Sequence, residues 1–99
     1  MLHIVNKSPL QTRSLDSCLR LAGDGQALLL IEDAVYAATR GAATASGLPE
    51  AAQRLKVYAL LPDLEARGMA GNLIDGITTV DYGGFVDLVA EHNTSQSWL

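Results

Sequence analysis

Ala27-Leu28-Leu29-Leu30-Ile31 is an unbroken apolar run, set between Gly23-Asp24-Gly25 and Glu32-Asp33. A short apolar run between turn signals predicts a strand buried on both faces, as in a parallel sheet covered by layers on each side. Leu2-His3-Ile4-Val5 predicts a strand before it, closed by the loop Asn6-Lys7-Ser8-Pro9. Between these two strands Leu15, Cys18, Leu19 and Ala22 recur at helical spacing, which predicts a helix from about Ser14 to Ala22, stopped by Gly23. An alanine-rich helix is expected from Ala34 to about Arg40, closed by Gly41. Residues 42–54 carry the weakest pattern, although Pro49 suits the start of one more helical turn. Val57-Tyr58-Ala59-Leu60 predicts a third strand and Pro62–Arg67 a short helix with Gly68 past its end. Asn72–Gly76 reads as a loop, and Ile77-Thr78-Thr79-Val80 as a fourth strand. A last helix from about Tyr82 to Glu91 is expected to bury Phe85, Leu88 and Val89. The tail Asn93-Thr94-Ser95-Gln96-Ser97 is polar and leads to Trp98-Leu99.

Strands alternating with helices require crossover connections. The expected fold is therefore one small α/β domain over residues 1–99, three layers deep (α/β/α). Its sheet should be mainly parallel, with four strands, or five if the tail pairs. Edges of so small a sheet are exposed unless something covers them.

The chain of 99 residues is 48% hydrophobic and 18% charged, which is apolar for so small a soluble body. A domain of this size has too much surface to hide that surplus alone, so burial against other chains is expected. The N-terminus lacks a basic head followed by a long apolar run, and no run approaches the ~18 residues of a membrane span. A cytoplasmic location without membrane contact is expected, where a single cysteine stays reduced. Residues 1–67 hold all seven Lys and Arg and seven of the eleven acids; residues 68–99 hold no base and the acids Asp75, Asp81, Asp87 and Glu91. Without a basic cluster or stacking aromatics, direct nucleic-acid binding is not expected.

Ligands of open parallel sheets bind beyond the carboxyl ends of the strands. Those ends offer Lys7 and Ser8, then Glu32 and Asp33, then Asp63, then Asp81 and Tyr82. An acidic pocket for a cation is one reading. Asp33, Asp63 and Asp81 are each helix-initial, however, where a carboxylate accepts backbone N–H groups and faces the positive end of the dipole. No cofactor is expected, since Asn6-Lys7-Ser8-Pro9 lacks the glycines of a phosphate loop. No metal is expected either: one Cys and two distant His fall short of zinc spacing. His3 reads as a core or edge residue and His92 as a cation at a helix end. No Gly-x-Ser-x-Gly elbow is present. Cys18 is the candidate reactive group; it is either a packing thiol or a sulfur carrier. Trp98 and Leu99, with Tyr82 and Phe85, are candidates for a partner interface, Trp98 docking on its own domain or on a neighbour.

Several segments together resemble the TusB/DsrH family of sulfur-relay subunits. They are Met1-Leu2-His3, Asn6-Lys7-Ser8-Pro9, Ser14-Leu15-Asp16-Ser17-Cys18-Leu19, Leu29-Leu30-Ile31-Glu32-Asp33 and Tyr36-Ala37-Ala38. Val57–Leu60, Pro62–Gly68, Val80–Val86 and Gln96–Leu99 continue the match. The resemblance implies a DsrEFH-like domain and a place among three related subunits, two copies of each, that move sulfur as cysteine persulfide. The implied partners are a TusC/DsrF-like and a TusD/DsrE-like subunit and a downstream TusE/DsrC-like carrier. In the Tus branch the sulfur goes to 2-thiolation of the tRNA wobble uridine; in the Dsr branch it serves dissimilatory sulfur oxidation. In both, the persulfide cysteine belongs to the TusD/DsrE partner, which implies an accessory role here. The Dsr-branch subunit carries a cysteine in a setting similar to that of Cys18, and some Tus-branch members lack one. Two other readings come from the residues: a homo-oligomeric small-ligand module using the strand-end crevice, and direct sulfur transfer through Cys18.

Overall fold

The apolar run at 27–31 folds as strand β2 (Ala27–Leu30), with all four side chains buried. The computed structural model describes residues 1–42 and 46–98. β2 lies between β1 (Leu2–Val5) and β3 (Lys56–Leu60); β4 (Ile77–Val80) pairs with β3, and β5 (Ser95–Trp98) with β1. The order is β4-β3-β2-β1-β5, and every pairing is parallel. The polar tail therefore does pair, with Leu2 opposite Ser95 and Val5 opposite Trp98.

This strand order decides where the helices lie. From β1 to β4 the chain steps always in one direction, so right-handed crossovers place their helices on one face of the sheet. The connection from β4 back to β5 runs the other way, so its helix falls on the opposite face. The first face carries α1 (Ser14–Leu21), a 3-10 helix (Glu32–Ala38), α2 (Leu48–Arg54) and α3 (Leu61–Ala66). Leu15, Cys18, Val35, Leu48 and Leu64 from these elements meet Val5, Leu28, Leu30, Val57 and Ala59 of the strands in one core cluster. Among the described residues the second face carries α4 (Tyr82–Glu91) alone. There Leu88 packs on Leu2, Ala27 and Leu29, while Ile4, Ile31, Tyr58, Val80 and Phe85 are only half-buried around them. One helix cannot roof a five-stranded sheet.

Two sequence expectations need correction. The segment read as an alanine-rich helix from Ala34 to about Arg40 is helical over Glu32–Ala38, and its winding is 3-10. It leaves β2 through Glu32, a non-glycine residue at φ 50°, and ends where Thr39 bridges Leu73. A 3-10 helix rises about 2.0 Å per residue against about 1.5 Å for an α-helix, so the same residues reach further between those fixed ends. Val89, expected in the core, is 42% exposed, because α4 turns only the Phe85 and Leu88 side toward the sheet. Gly84 keeps α4 close to its own strand: a Cβ there would sit 2.9 Å from Val80 Cβ. Asp81 starts the helix by accepting the Gly84 N–H at 2.7 Å.

Candidate functional site

Cys18 sits on the inner stripe of α1 with Leu15 and Ala22, and it has no solvent exposure. Burial pushes its thiol from the ordinary 9.0 up to about 11, and the positive charge of Arg54 offsets this only in part. A thiolate is the nucleophile in sulfur chemistry. At neutral pH roughly one molecule in ten thousand would carry it. Between about pH 9 and pH 11 the folded state keeps a proton that the unfolded chain has released. Rising pH therefore favours unfolding across that window. We expect the thiol's contribution to stability to be whole below pH 9 and to fall by on the order of 2–3 kcal/mol by pH 11. Urea unfolding at pH 7, 9 and 10.5 checks this; Cys18→Ala should remove that part of the slope.

Arg54 is the cation near Cys18, and sequence reasoning did not single it out. Its Nη1 donates to the Ala22 carbonyl at 2.7 Å and its Nη2 to the Leu19 carbonyl. Both carbonyls belong to the last turn of α1, which has no intrahelical donor left for them. Asp24 approaches the same guanidinium at 3.5 Å. Arg54 thus ties the end of α2 to the end of α1 beneath the thiol.

The acids at the carboxyl ends of the strands are committed to the fold. Asp63 Oδ2 accepts the Glu32 N–H at 2.6 Å, which pins the left-handed turn that leaves β2. Arg67 donates to Asp33 Oδ1 from Nε at 3.0 Å and Nη2 at 2.9 Å, and from Nη1 to the Asp63 carbonyl at 3.1 Å. Of the three helix-initial acids, only Asp81 caps its own helix; the other two bridge separate elements. Among the described residues no three His, Cys, Asp or Glu side chains group to hold a metal ion. Asp63 and Arg67 stand four residues apart, and that spacing was the one visible sign of this knot.

Beside it an open cleft of about 630 Å³ is lined by Ser8, Gln11, Asp33, Tyr36 and Thr39, among others. Two of its hydroxyls are already engaged: Ser8 Oγ accepts the Leu10 N–H at 3.1 Å and Thr39 Oγ1 donates to the Tyr36 carbonyl at 2.7 Å. Neither histidine serves it. His92 Nδ1 bonds the Leu88 carbonyl at 2.7 Å at the end of α4, as its place at a helix end suggested. His3 is buried in β1, an interior strand, with Nε2 2.7 Å from Gln26 Oε1. Its Nδ1 receives the Trp98 indole N–H at 3.2 Å. An indole only donates, so Nδ1 is the acceptor and Nε2 carries the proton. Trp98 accordingly docks on its own domain, packed against the first-face core and partly exposed. Leu99 lies outside the described residues.

Of the residues singled out as a partner interface, Tyr82 is 63% exposed and Phe85 is half-buried on the second face. Val86 (66%) and Val89 (42%), which were not singled out, join Tyr82 on the outside of α4. Their spacing of four and three residues puts them on one stripe. No helix among the described residues is long and apolar enough to cross a membrane.

The geometry is that of a parallel sheet with one face thinly roofed, a sealed thiol and, among the described residues, no metal-holding cluster. The chain is similar to the ychN protein from E. coli, with a TM-score of 0.79 at 23% identity over 97% of both chains. It is similar to a Methanobacterium thermoautotrophicum protein of unknown function, with a TM-score of 0.74 at 21% identity over 97% of this chain and 95% of that one. Both likenesses concern the fold. Sequence reaches further. Proteins named TusB from Enterobacter sp. (strain 638) and Shigella flexneri are 42% and 40% identical over 98 residues, covering 99% of this chain and 100% of each relative. TusB of Serratia proteamaculans is 40% identical over the same span. A family model described as DsrH like protein matches residues 7–95. By both measures the chain belongs to the TusB/DsrH family.

Proposed function

We propose that this chain is the B-type subunit of a heterohexameric sulfur-relay complex that passes persulfide sulfur toward 2-thiolation of the tRNA wobble uridine in the cytoplasm. Its partners in this reading are a TusC/DsrF-like and a TusD/DsrE-like subunit, with a TusE/DsrC-like protein receiving the sulfur. The observation that carries the reading is the contrast between a sealed Cys18 and a half-roofed apolar face. Such a chain offers surface rather than a nucleophile. The sulfur then rides on a partner's cysteine, and this subunit shapes the body on which that cysteine works.

The test is complementation of a strain lacking the chain, with thiolated wobble uridine measured by mass spectrometry of tRNA nucleosides. Wild type and Cys18→Ala are expected to restore thiolation alike. Loss of transfer by Cys18→Ala in an intact complex, or a wild-type chain that stays solitary beside both related subunits, overturns the reading. The DsrH match supports a second branch, sulfur oxidation through the same kind of assembly. Thiolation that is unchanged by deleting the chain, together with lost sulfur oxidation, selects that branch.

A further inference from the structure

We infer that His3 is a proton-sensitive latch: its neutral ring holds strand β5 on the sheet through Trp98, and a second proton on that ring releases the strand. Two neighbours fix the neutral ring independently. Gln26 Oε1 accepts the Gly23 N–H at 3.0 Å, so the atom 2.7 Å from His3 Nε2 is an oxygen and Nε2 must donate. The Trp98 indole has only a donor to give, so Nδ1, at 3.2 Å, must accept. One neutral tautomer satisfies both, and an imidazolium satisfies only the first. Its Nδ1–H would point at the Trp98 N–H, two donors head to head at a residue that is 3% exposed. Stacking does not offset this. The ring centroids stand 6.2 Å apart with their planes tilted by 35°. His3 meets the N–H edge of the indole, where the ring is positive, rather than its negative face.

No neighbour answers the added charge. β2 and β5, on either side of β1, carry no charged side chain. α1, which packs on β1, has Asp16 and Arg20, more than half exposed and paired with each other at 3.0 Å, and the Cys18 thiol, which keeps its proton. Past the end of α1, Asp24 is 84% exposed and meets Arg54. The Met1 amino group and Lys56 add only positive charge. Among the described residues no acid lies within ion-pair distance of His3. The strand on the latch has little else to hold it. Ser95, Gln96 and Ser97 are exposed, and Trp98 is the β5 side chain that packs on the core. The other ties are main-chain bonds to β1 at the margin of the sheet. A four-residue edge strand without a seated side chain opens well below the global unfolding energy, and its departure uncovers the edge of β1.

The test is hydrogen exchange of the full chain, followed by NMR at pH 7.5 and pH 5.5 and corrected for the intrinsic pH dependence of exchange. The two values bracket the pH at which an imidazole in water takes its proton, about 6.5. Trp98 is the one tryptophan of the chain, so its indole N–H reports the latch directly. If docking and the second proton exclude each other, protection of the β5 amides and of that indole falls about ten-fold from pH 7.5 to pH 5.5. The amides of β2 should keep their protection, since the rest of the sheet stays folded. His3→Asn places an acceptor near the Nδ1 position but takes up no proton, so its β5 protection should be equal at both pH values. Trp98→Phe keeps an apolar ring without the donor. Its β5 amides should be less protected than those of wild type at pH 7.5 and fall less than three-fold by pH 5.5. Wild-type β5 protection that does not change with pH overturns the latch. So does an equal loss in β2, which would be global acid unfolding, or a ten-fold fall in either His3→Asn or Trp98→Phe.

Discussion

Leu88→Ala is expected to lower the unfolding free energy by about 3 kcal/mol, within the range for truncating a fully packed leucine. Leu88 is the one buried side chain of α4, and it stands on Leu2, Ala27 and Leu29. Phe85 beside it is only half-buried, so nothing else on the helix can take over the anchor. The first face behaves differently, because four helices share its load. Leu64→Ala on α3 removes the same atoms from a site that is 0% exposed, against 6% for Leu88, and should cost at least as much. The two variants separate in hydrogen exchange. Leu88→Ala should free the amides of Phe85 to Leu88 while those of β2 stay protected, and Leu64→Ala should leave α4 protected up to the global limit. Equal protection of α4 in both variants would mean that the helix is held by something other than Leu88.

The sequence marked α4 well and misjudged which side of it is wet. Asp81 as cap and His92 past the end bracket a ten-residue helix at the expected bounds. Its apolar residues, however, go most of the way round. Tyr82, Phe85, Val86, Leu88 and Val89 leave periodicity unable to say which arc meets the sheet. Only the strand order decides that, by sending this crossover alone to the second face. Leu15, Cys18 and Ala22 were legible for the opposite reason, since Asp16, Ser17 and Arg20 take most of the outer arc of α1, where Leu21 is the one apolar exception.

Other features depend on partners far away in the chain. Ser95–Trp98 has no strand-like alternation; it is a strand because β1 has a free edge and because His3 receives the Trp98 indole. The strand-end acids fit helix starts in position, yet Asp63 serves Glu32, thirty-one residues back, and Asp33 meets Arg67. Such long-range pairings leave no local mark. The same holds for the failure of Ala34–Arg40 to wind as an α-helix. Alanine favours that form, but the turn at Glu32 and the bridge from Thr39 to Leu73 fix both ends.

Arg54→Ala is expected to be the most damaging change of a charged residue, costing about 3 kcal/mol in urea unfolding. Two charge-assisted bonds end at the Leu19 and Ala22 carbonyls, and removing the guanidinium leaves those acceptors at a partly buried helix end without a donor. Asp24 adds little to the sum, because it is 84% exposed and water screens the pair. Asp24→Ala should therefore change stability by well under 1 kcal/mol. Arg54→Lys keeps the charge but loses the fork, so one ammonium must choose between two carbonyls. It should recover less than half of the loss. The thiol gives an independent readout. Arg54 is the one influence that lowers the Cys18 pKa, so Arg54→Ala should push it above its present value of about 11 while Arg54→Lys largely preserves it. Titration of the thiolate absorbance in the folded protein distinguishes the two. If Arg54→Ala left both the unfolding energy and the thiol titration unchanged, Arg54 would not be the tie between α1 and α2 that its bonds describe.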